Sequence, residues 1–199
     1  MIKVGITGGI GSGKTIICKI FDNLGVPIYN ADYEAKIIMN TDNIIKAELS
    51  KAFGKNIYDS SGKINKHKLT SIIFNDSNKV KLINSIVHPL VIKNYNNWLL
   101  YNKYQKYTVL ESAILFESGY NNLMDFIITV YAPENLKIDR TMFRDNCDKS
   151  VVIKKMENQL NDDFKAQKSN FIIYNDNKQL VIPQILEIHN KIISSIVSN

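Results

Sequence analysis

Gly8-Gly9-Ile10-Gly11-Ser12-Gly13-Lys14-Thr15 fits G-x-x-x-x-G-K-[ST], the pattern of a phosphate-binding loop. Glycines let the backbone turn tightly and aim successive N–H groups inward, forming an anion nest. The N-terminus of a following helix adds its dipole at the same place. Lys14 can reach the terminal phosphates of a nucleoside triphosphate, and the Thr15 hydroxyl can ligate Mg²⁺. The flanking residues supply the context. Ile2 to Thr7 is a short, mostly apolar stretch that predicts a strand. Ile16, Ile17, Ile20, Phe21 and Leu24 predict one apolar helix face, and Gly25 stands where a C-cap belongs. A glycine turn with an incidental lysine is the alternative, and it leaves the strand–loop–helix context unexplained.

The rest of the chain is ordinary in composition. Its 199 residues suffice for one α/β domain with an insertion. Hydrophobic residues make up 45% and charged residues 22%, values of a globular protein. No apolar run is long enough to span a membrane. The apolar N-terminal stretch runs directly into the glycine loop, so no secretory leader is expected. Cys18 and Cys147 are isolated, without a Cys-x-x-Cys or His/Cys cluster. Neither a disulfide framework nor a zinc site follows, and a reducing cytoplasm is the expected compartment. The net charge of +6 comes from dispersed lysines, without an arginine-rich run or interleaved aromatics. That favours a small polyanionic substrate or a biased surface composition over a nucleic acid.

Strand and helix patterns alternate from end to end. Val26 to Tyr29, Tyr107 to Glu111, Phe126 to Tyr131 and Phe171 to Tyr174 predict further strands. Residues 33–103 read as helical, with breaks at Phe53-Gly54-Lys55 and Asp59-Ser60-Ser61-Gly62. His88-Pro89 predicts a helix boundary. A helix is expected from Ala132-Pro133-Glu134 to about Arg144, and a polar stretch from 147 to 169 follows. Val181, Ile185, Ile188, Ile192 and Ile196 mark a closing helix. Tyr95, Trp98, Tyr101 and Tyr104 read as core packing, with the wall of a ligand pocket as the alternative. His67 and His189 show no partner signal. Such alternation implies an α/β fold: a five-stranded parallel sheet in a three-layer arrangement.

Beyond the loop, the motifs resemble those of the dephospho-CoA kinase family of P-loop kinases. Gly5 to Thr15 looks like that family's Thr-Gly-Gly-Ile-Gly-Ser-Gly-Lys signature. Leu24-Gly25 and Asn30-Ala31-Asp32 are similar to its Leu-Gly and Asp-Ala-Asp. Phe53-Gly54, Ser61-Gly62-Lys63-Ile64-Asn65-Lys66 with Leu69, and His88-Pro89 match later motifs in order. Leu115-Phe116-Glu117 with Asp125, then Arg140, Arg144-Asp145, Gln159 and Asn175, continue the series. The chain departs from the pattern in four ways. Asn30 replaces the first aspartate, Lys66 an arginine, and Ala113 a proline. Lys154 and Lys155 stand where arginines are expected near Gln159.

The resemblance implies a P-loop nucleotide triphosphatase fold with a helical acceptor-binding insertion at 33–103 and a lid at 146–169. It implies transfer of the ATP γ-phosphate to the ribose 3′-hydroxyl of dephospho-CoA, with Mg²⁺. ATP and dephospho-CoA are then the partners of a monomer or weak homo-oligomer, with no nucleic acid or membrane. ATP would contact Gly9, Ile10, Gly11, Ser12, Gly13, Lys14, Thr15, Ile16 and Arg144. Lys14, Asp32 and Arg140 are the catalytic candidates. Asp32, His88, Leu115 and Glu117 are the acceptor-binding candidates. Thr15 is the Mg²⁺ candidate, with Glu111 as a second. From the residues alone, alternatives stay open. Asp32 can cap a helix, Glu111 can be a solvated strand end, and the arginines can line an exposed helix face. A kinase for a nucleoside monophosphate is a second reading of the whole chain. A regulatory nucleotide switch is a third, but no Asn-Lys-x-Asp base-reading motif is present.

Overall fold

The computed structural model describes residues 1–73 and 76–197. In chain order its elements are β1 (Ile2–Thr7), α1 (Lys14–Asn23), β2 (Ile28–Asn30), α2 (Ala31–Thr41), α3 (Asn43–Phe53), α4 (Lys66–Ile73) and α5 (Ser77–Tyr101). They continue as β3 (Tyr107–Glu111), β4 (Phe126–Tyr131), α6 (Glu134–Asp145), α7 (Lys149–Glu157), α8 (Asp162–Gln167), β5 (Phe171–Tyr174) and α9 (Val181–Val197). The chain divides into two compact units, residues 1–30 with 101–199, and residues 31–100.

The first unit is built on a five-stranded sheet in the order β2-β3-β1-β4-β5. Every neighbouring pair is parallel. All five strands therefore end at one edge, where Thr7, Asn30, Glu111, Tyr131 and Tyr174 stand. Open α/β sheets gather ligands at that carboxyl edge. One face is apolar: Val4, Ile6, Val109, Ile128, Val130 and Ile173 pack on Ile17 and Phe21 of α1 and on Ile185, Ile188 and Ile192 of α9. On the opposite face Gly5 lies against the side chains of Leu115 and Met124, and a Cβ there would come within 2.9 Å of both.

Four sequence expectations need correction in this unit. Ile16 is 63% exposed, and the face that buries Ile17, Cys18 and Phe21 excludes it. At 100° per residue Ile16 falls outside that face. The second strand begins at Ile28 rather than Val26. His189 has a partner, its Nδ1 lying 2.7 Å from the Tyr107 hydroxyl. The polar stretch after Cys147 carries two helices, α7 and α8, in which Val152 and Lys165 are fully buried.

The second unit is helical. Asp42 separates α2 from α3 and caps α3 by accepting from the N–H groups of Ile44 and Ile45, each at 2.9 Å. Gly54 closes α3 at a positive φ of 90°. His88-Pro89 is not a boundary, because α5 runs through it. Pro89 forfeits one backbone bond. The buried row Val87, Val91 and Tyr95 holds the helix together across it. Tyr95 stacks on Trp98 at 6.0 Å between ring centroids. Tyr101 and Tyr104 are 89% exposed, so they do not extend that packing. Phe74 and Asn75, within the expected insertion, lie outside the described residues.

Candidate active site

The glycine loop connects β1 to α1 and is gripped from outside by long-range contacts. Gly11 has φ 79° and lies so close to the Lys137 carbonyl and the Thr141 hydroxyl that no Cβ fits. Gly13 has φ 97° and is covered in the same way by the Asn175 amide. That amide donates to the Ser12 carbonyl at 2.8 Å. The Ile10 N–H donates to Gln159 Oε1 at 2.9 Å. The Asp162 carboxylate lies against Gly9. Two of these positions, Gln159 and Asn175, carried sequence motifs, but nothing in the sequence identified what they hold.

Lys14 opens α1 and is buried. Its Nζ donates to the carbonyls of Gly8 at 2.8 Å and Gly9 at 3.2 Å. The ammonium thus stays at the loop that it is expected to serve. Ser12 Oγ and Arg140 Nη1 are buried and have no hydrogen-bond partner among the described residues. Arg140 Nη2 donates to Asn177 Oδ1 at 2.7 Å. Arg144, one turn further along α6, is bound to Asp145 through Nε at 2.8 Å. The two arginines therefore engage different partners. Asp145 also accepts from Lys155 at 2.9 Å, and its carboxyl is held down at about 2, first by the Arg144 hydrogen bond and then by that of Lys155.

The metal-binding candidates do meet. Thr15 Oγ1 donates to Glu111 Oε1 at 3.0 Å, and Asn30 Nδ2 donates to Glu111 Oε2 at 2.7 Å. Glu111 is 5% exposed, so it is not a solvated strand end. A hydroxyl beside a carboxylate is a hard oxygen set of the kind Mg²⁺ takes, together with water and phosphate oxygens. No cluster of three or more His, Cys, Asp or Glu side chains that could hold a metal ion occurs among the described residues.

Leu115 is fully buried against Gly5, so in this structure it packs the core and does not present a surface to a ligand. Glu117 accepts from the Leu160 N–H at 2.7 Å and pairs with Lys165 Nζ at 3.0 Å. Lys165 also donates to the Ala113 carbonyl at 2.8 Å. These bonds tie the start of α8 to the loop after β3. In the second unit, Asp32 is the second residue of α2, inside its first turn rather than at a cap position. It interacts electrostatically with His88. Burial pushes the His88 imidazole below its ordinary value, and the Asp32 charge opposes that shift.

Lys137 and Asp162 form an ion pair at 2.5 Å, with side chains only 8% and 7% exposed. Sequence reading missed both residues, which lie 25 positions apart with no shared motif. Breaking a buried pair strands a charge, whereas replacing both partners by apolar groups does not. Lys137→Met is therefore expected to lower the unfolding free energy by about 3–5 kcal/mol. Adding Asp162→Leu should recover most of the loss. Denaturant melts of the single and double variants check this; an additive double variant would refute it.

A family model described as dephospho-CoA kinase matches residues 2–180 of the chain. The dephospho-CoA kinase of Bacteroides fragilis is 38% identical over 187 residues, covering 94% of this chain and 91% of the relative. The solved dephospho-CoA kinase from Campylobacter jejuni superposes with a TM-score of 0.69 at 27% identity, over 97% of this chain and 98% of that one. A Thermus thermophilus structure superposes with a TM-score of 0.80 at 22% identity, over 98% of this chain and 97% of that one, and shares the fold.

Proposed function

The chain belongs to the dephospho-CoA kinase family, and we propose that it transfers the γ-phosphate of ATP to the ribose 3′-hydroxyl of dephospho-CoA, giving coenzyme A and ADP. The observation that carries the reading is the glycine loop at the sheet's carboxyl edge, with the Thr15–Glu111 pair beside it. A kinase of this family uses ATP with a divalent metal. We take that metal to be Mg²⁺, with Thr15 and Glu111 as the residues that would hold it or its waters. When bound, it neutralises charge on the phosphates.

Phosphoryl transfer passes through a loose transition state, so the protein's work is positioning and charge stabilisation. Within the loop from Gly9 to Ile16, the N–H groups not already held by Gln159 and by the Gly9 and Gly13 carbonyls cradle the phosphates together with the Lys14 ammonium. Arg140, with its buried unpartnered Nη1, adds charge to the transferring group. Arg144 contributes to ATP only after release from Asp145. Asp32 orients the acceptor hydroxyl and takes its proton. His88, whose neutral form burial favours, offers the acceptor a hydrogen bond. Residues 33–103 form the acceptor-binding insertion and 146–169 the lid. Glu117 acts through the lid it holds. Cys18 and Cys147 are free thiols, which suits the cytoplasm. No helix among the described residues is long and apolar enough to cross a membrane. The dispersed lysines favour small anionic substrates over nucleic acid, and we expect a monomer or weak homo-oligomer.

The test is an acceptor panel. The protein is incubated with ATP and Mg²⁺ and either dephospho-CoA, AMP, dTMP or water, and ADP is measured. ADP release with dephospho-CoA alone is the expected result. Equal or faster release with AMP or dTMP would overturn the assignment.

A further inference from the structure

Asn177 has a φ of 64°, and among the described residues Asn146 is the one other non-glycine with a positive φ. Most side chains disfavour that left-handed conformation; after glycine, asparagine and aspartate adopt it most readily. The turn around it is held on both sides. Asn175 donates its N–H to the Tyr131 carbonyl at 2.8 Å and its side-chain amide to the Ser12 carbonyl at 2.8 Å. The Asp176 carboxylate accepts from the N–H groups of Lys178 and Gln179, each at 2.9 Å. Asn177 is thus presented from a braced turn between β5 and α9, two residues beyond the contact with the phosphate loop. Its side chain meets α6, where Oδ1 accepts from Arg140 Nη2 at 2.7 Å.

Helix α6 touches the same loop from its own side. The Lys137 carbonyl and the Thr141 hydroxyl lie against Gly11, and positions 137, 140 and 141 share one helix face. The Arg140 guanidinium therefore joins two elements that each abut the loop, one at Gly11 and the other at Ser12 and Gly13. One nitrogen of its fork is bonded to the turn. The other, Nη1, is buried without a hydrogen-bond partner among the described residues. Leaving a buried charged donor unmade is costly, and a phosphate oxygen is the acceptor that suits it.

We infer that Asn177 is a positioning residue for phosphoryl transfer: it holds Arg140 by Nη2 so that Nη1 stays available to a phosphate oxygen. Arginine has a long stem with many rotamers, and anchoring one nitrogen beforehand removes much of that freedom before the reaction. The left-handed backbone at 177 is kept where it sets an acceptor on a catalytic candidate.

The inference rests on the proposed role of Arg140, and its test separates the two. Steady-state kcat and KM are measured for the wild type, Asn177→Gly, Arg140→Ala and the double variant, with a thermal melt of each. Rates use whichever acceptor the panel selects, so a different acceptor does not mask the result. Glycine adopts a φ of 64° without strain, so Asn177→Gly should keep its melting temperature while losing the acceptor. Its kcat should fall by about 10–100-fold, with little change in the KM for ATP. Arg140→Ala should fall further, and the double variant should be no slower than Arg140→Ala, because Asn177 acts through the arginine. Wild-type kcat in Asn177→Gly beside a slow Arg140→Ala would overturn the inference. A raised kcat would overturn it too, since the bond would then park the arginine away from the phosphates. So would a double variant slower than Arg140→Ala by the whole Asn177→Gly factor. Wild-type kcat in Arg140→Ala would overturn the reading of Arg140 itself.

Discussion

Lys14→Ala is expected to abolish phosphoryl transfer while the protein stays folded. The ammonium sits at the loop, bonded to the carbonyls of Gly8 and Gly9, and does not belong to the apolar cluster between the sheet and α1 and α9. Its removal leaves that packing intact. The catalytic cost is large because charge stabilisation is most of what this reaction asks of a protein. Loss of one neutral oxyanion donor costs about 10²–10³ in kcat, and Lys14 contributes a full charge. Turnover should therefore fall beyond that range. Lys155→Ala is the control cation: its Nζ is engaged by Asp145 and its side chain is 39% exposed, so the change should be slight. Steady-state rates beside thermal melts decide the matter. Lys14→Ala with near-wild-type rates and an unchanged melt would sink the loop assignment.

Asp32→Asn carries the second large effect. If the carboxylate orients or deprotonates the acceptor hydroxyl, kcat should drop by about 10²–10⁴, the span of a general base. The lower end is favoured, since a loose transition state needs little early proton transfer. The KM for ATP should change little, because the donor contacts belong to the loop. Stability should also change little. Asp32 lies in the first turn of α2, where its charge interacts with the helix dipole for about 0.3–1 kcal/mol. A merely helix-stabilising aspartate predicts normal kcat with that small loss. A catalytic one predicts collapse of kcat with the same small loss. Kinetics with dephospho-CoA separate the two, and near-wild-type kcat would reduce Asp32 to its local role.

Some of this molecule follows from local rules. The strands at 2–7, 107–111, 126–131 and 171–174 were legible because buried parallel strands read as short, continuous apolar runs. The loop was legible because its chemistry is local: glycines for the turn, then the lysine and the threonine in the next two positions. The acceptor chemistry was readable only through the order of motifs resembling one family, since no local rule connects Asp32 to a ribose hydroxyl.

Local rules fail where a distant partner decides. Pro89 predicts a break, but buried Val87, Val91 and Tyr95 carry α5 past it. Ile16 belongs to an apolar run, yet the direction of α1 against the sheet leaves it in water. The contacts that grip the loop join residues far apart in sequence: 163 positions for Asn175 and Ser12, 149 for Gln159 and Ile10. The Asn30–Glu111 and Lys137–Asp162 pairs belong to the same class. Single side-chain bonds of this kind leave no period, and a motif at one end does not say what it holds. Sequence alone therefore determined that this chain has a phosphate loop on a parallel sheet, because backbone conformation and apolar spacing act over a few residues. Strand register and helix docking decided which groups hold that loop and where its acid stands, because only the folded sheet brings those side chains within hydrogen-bond reach.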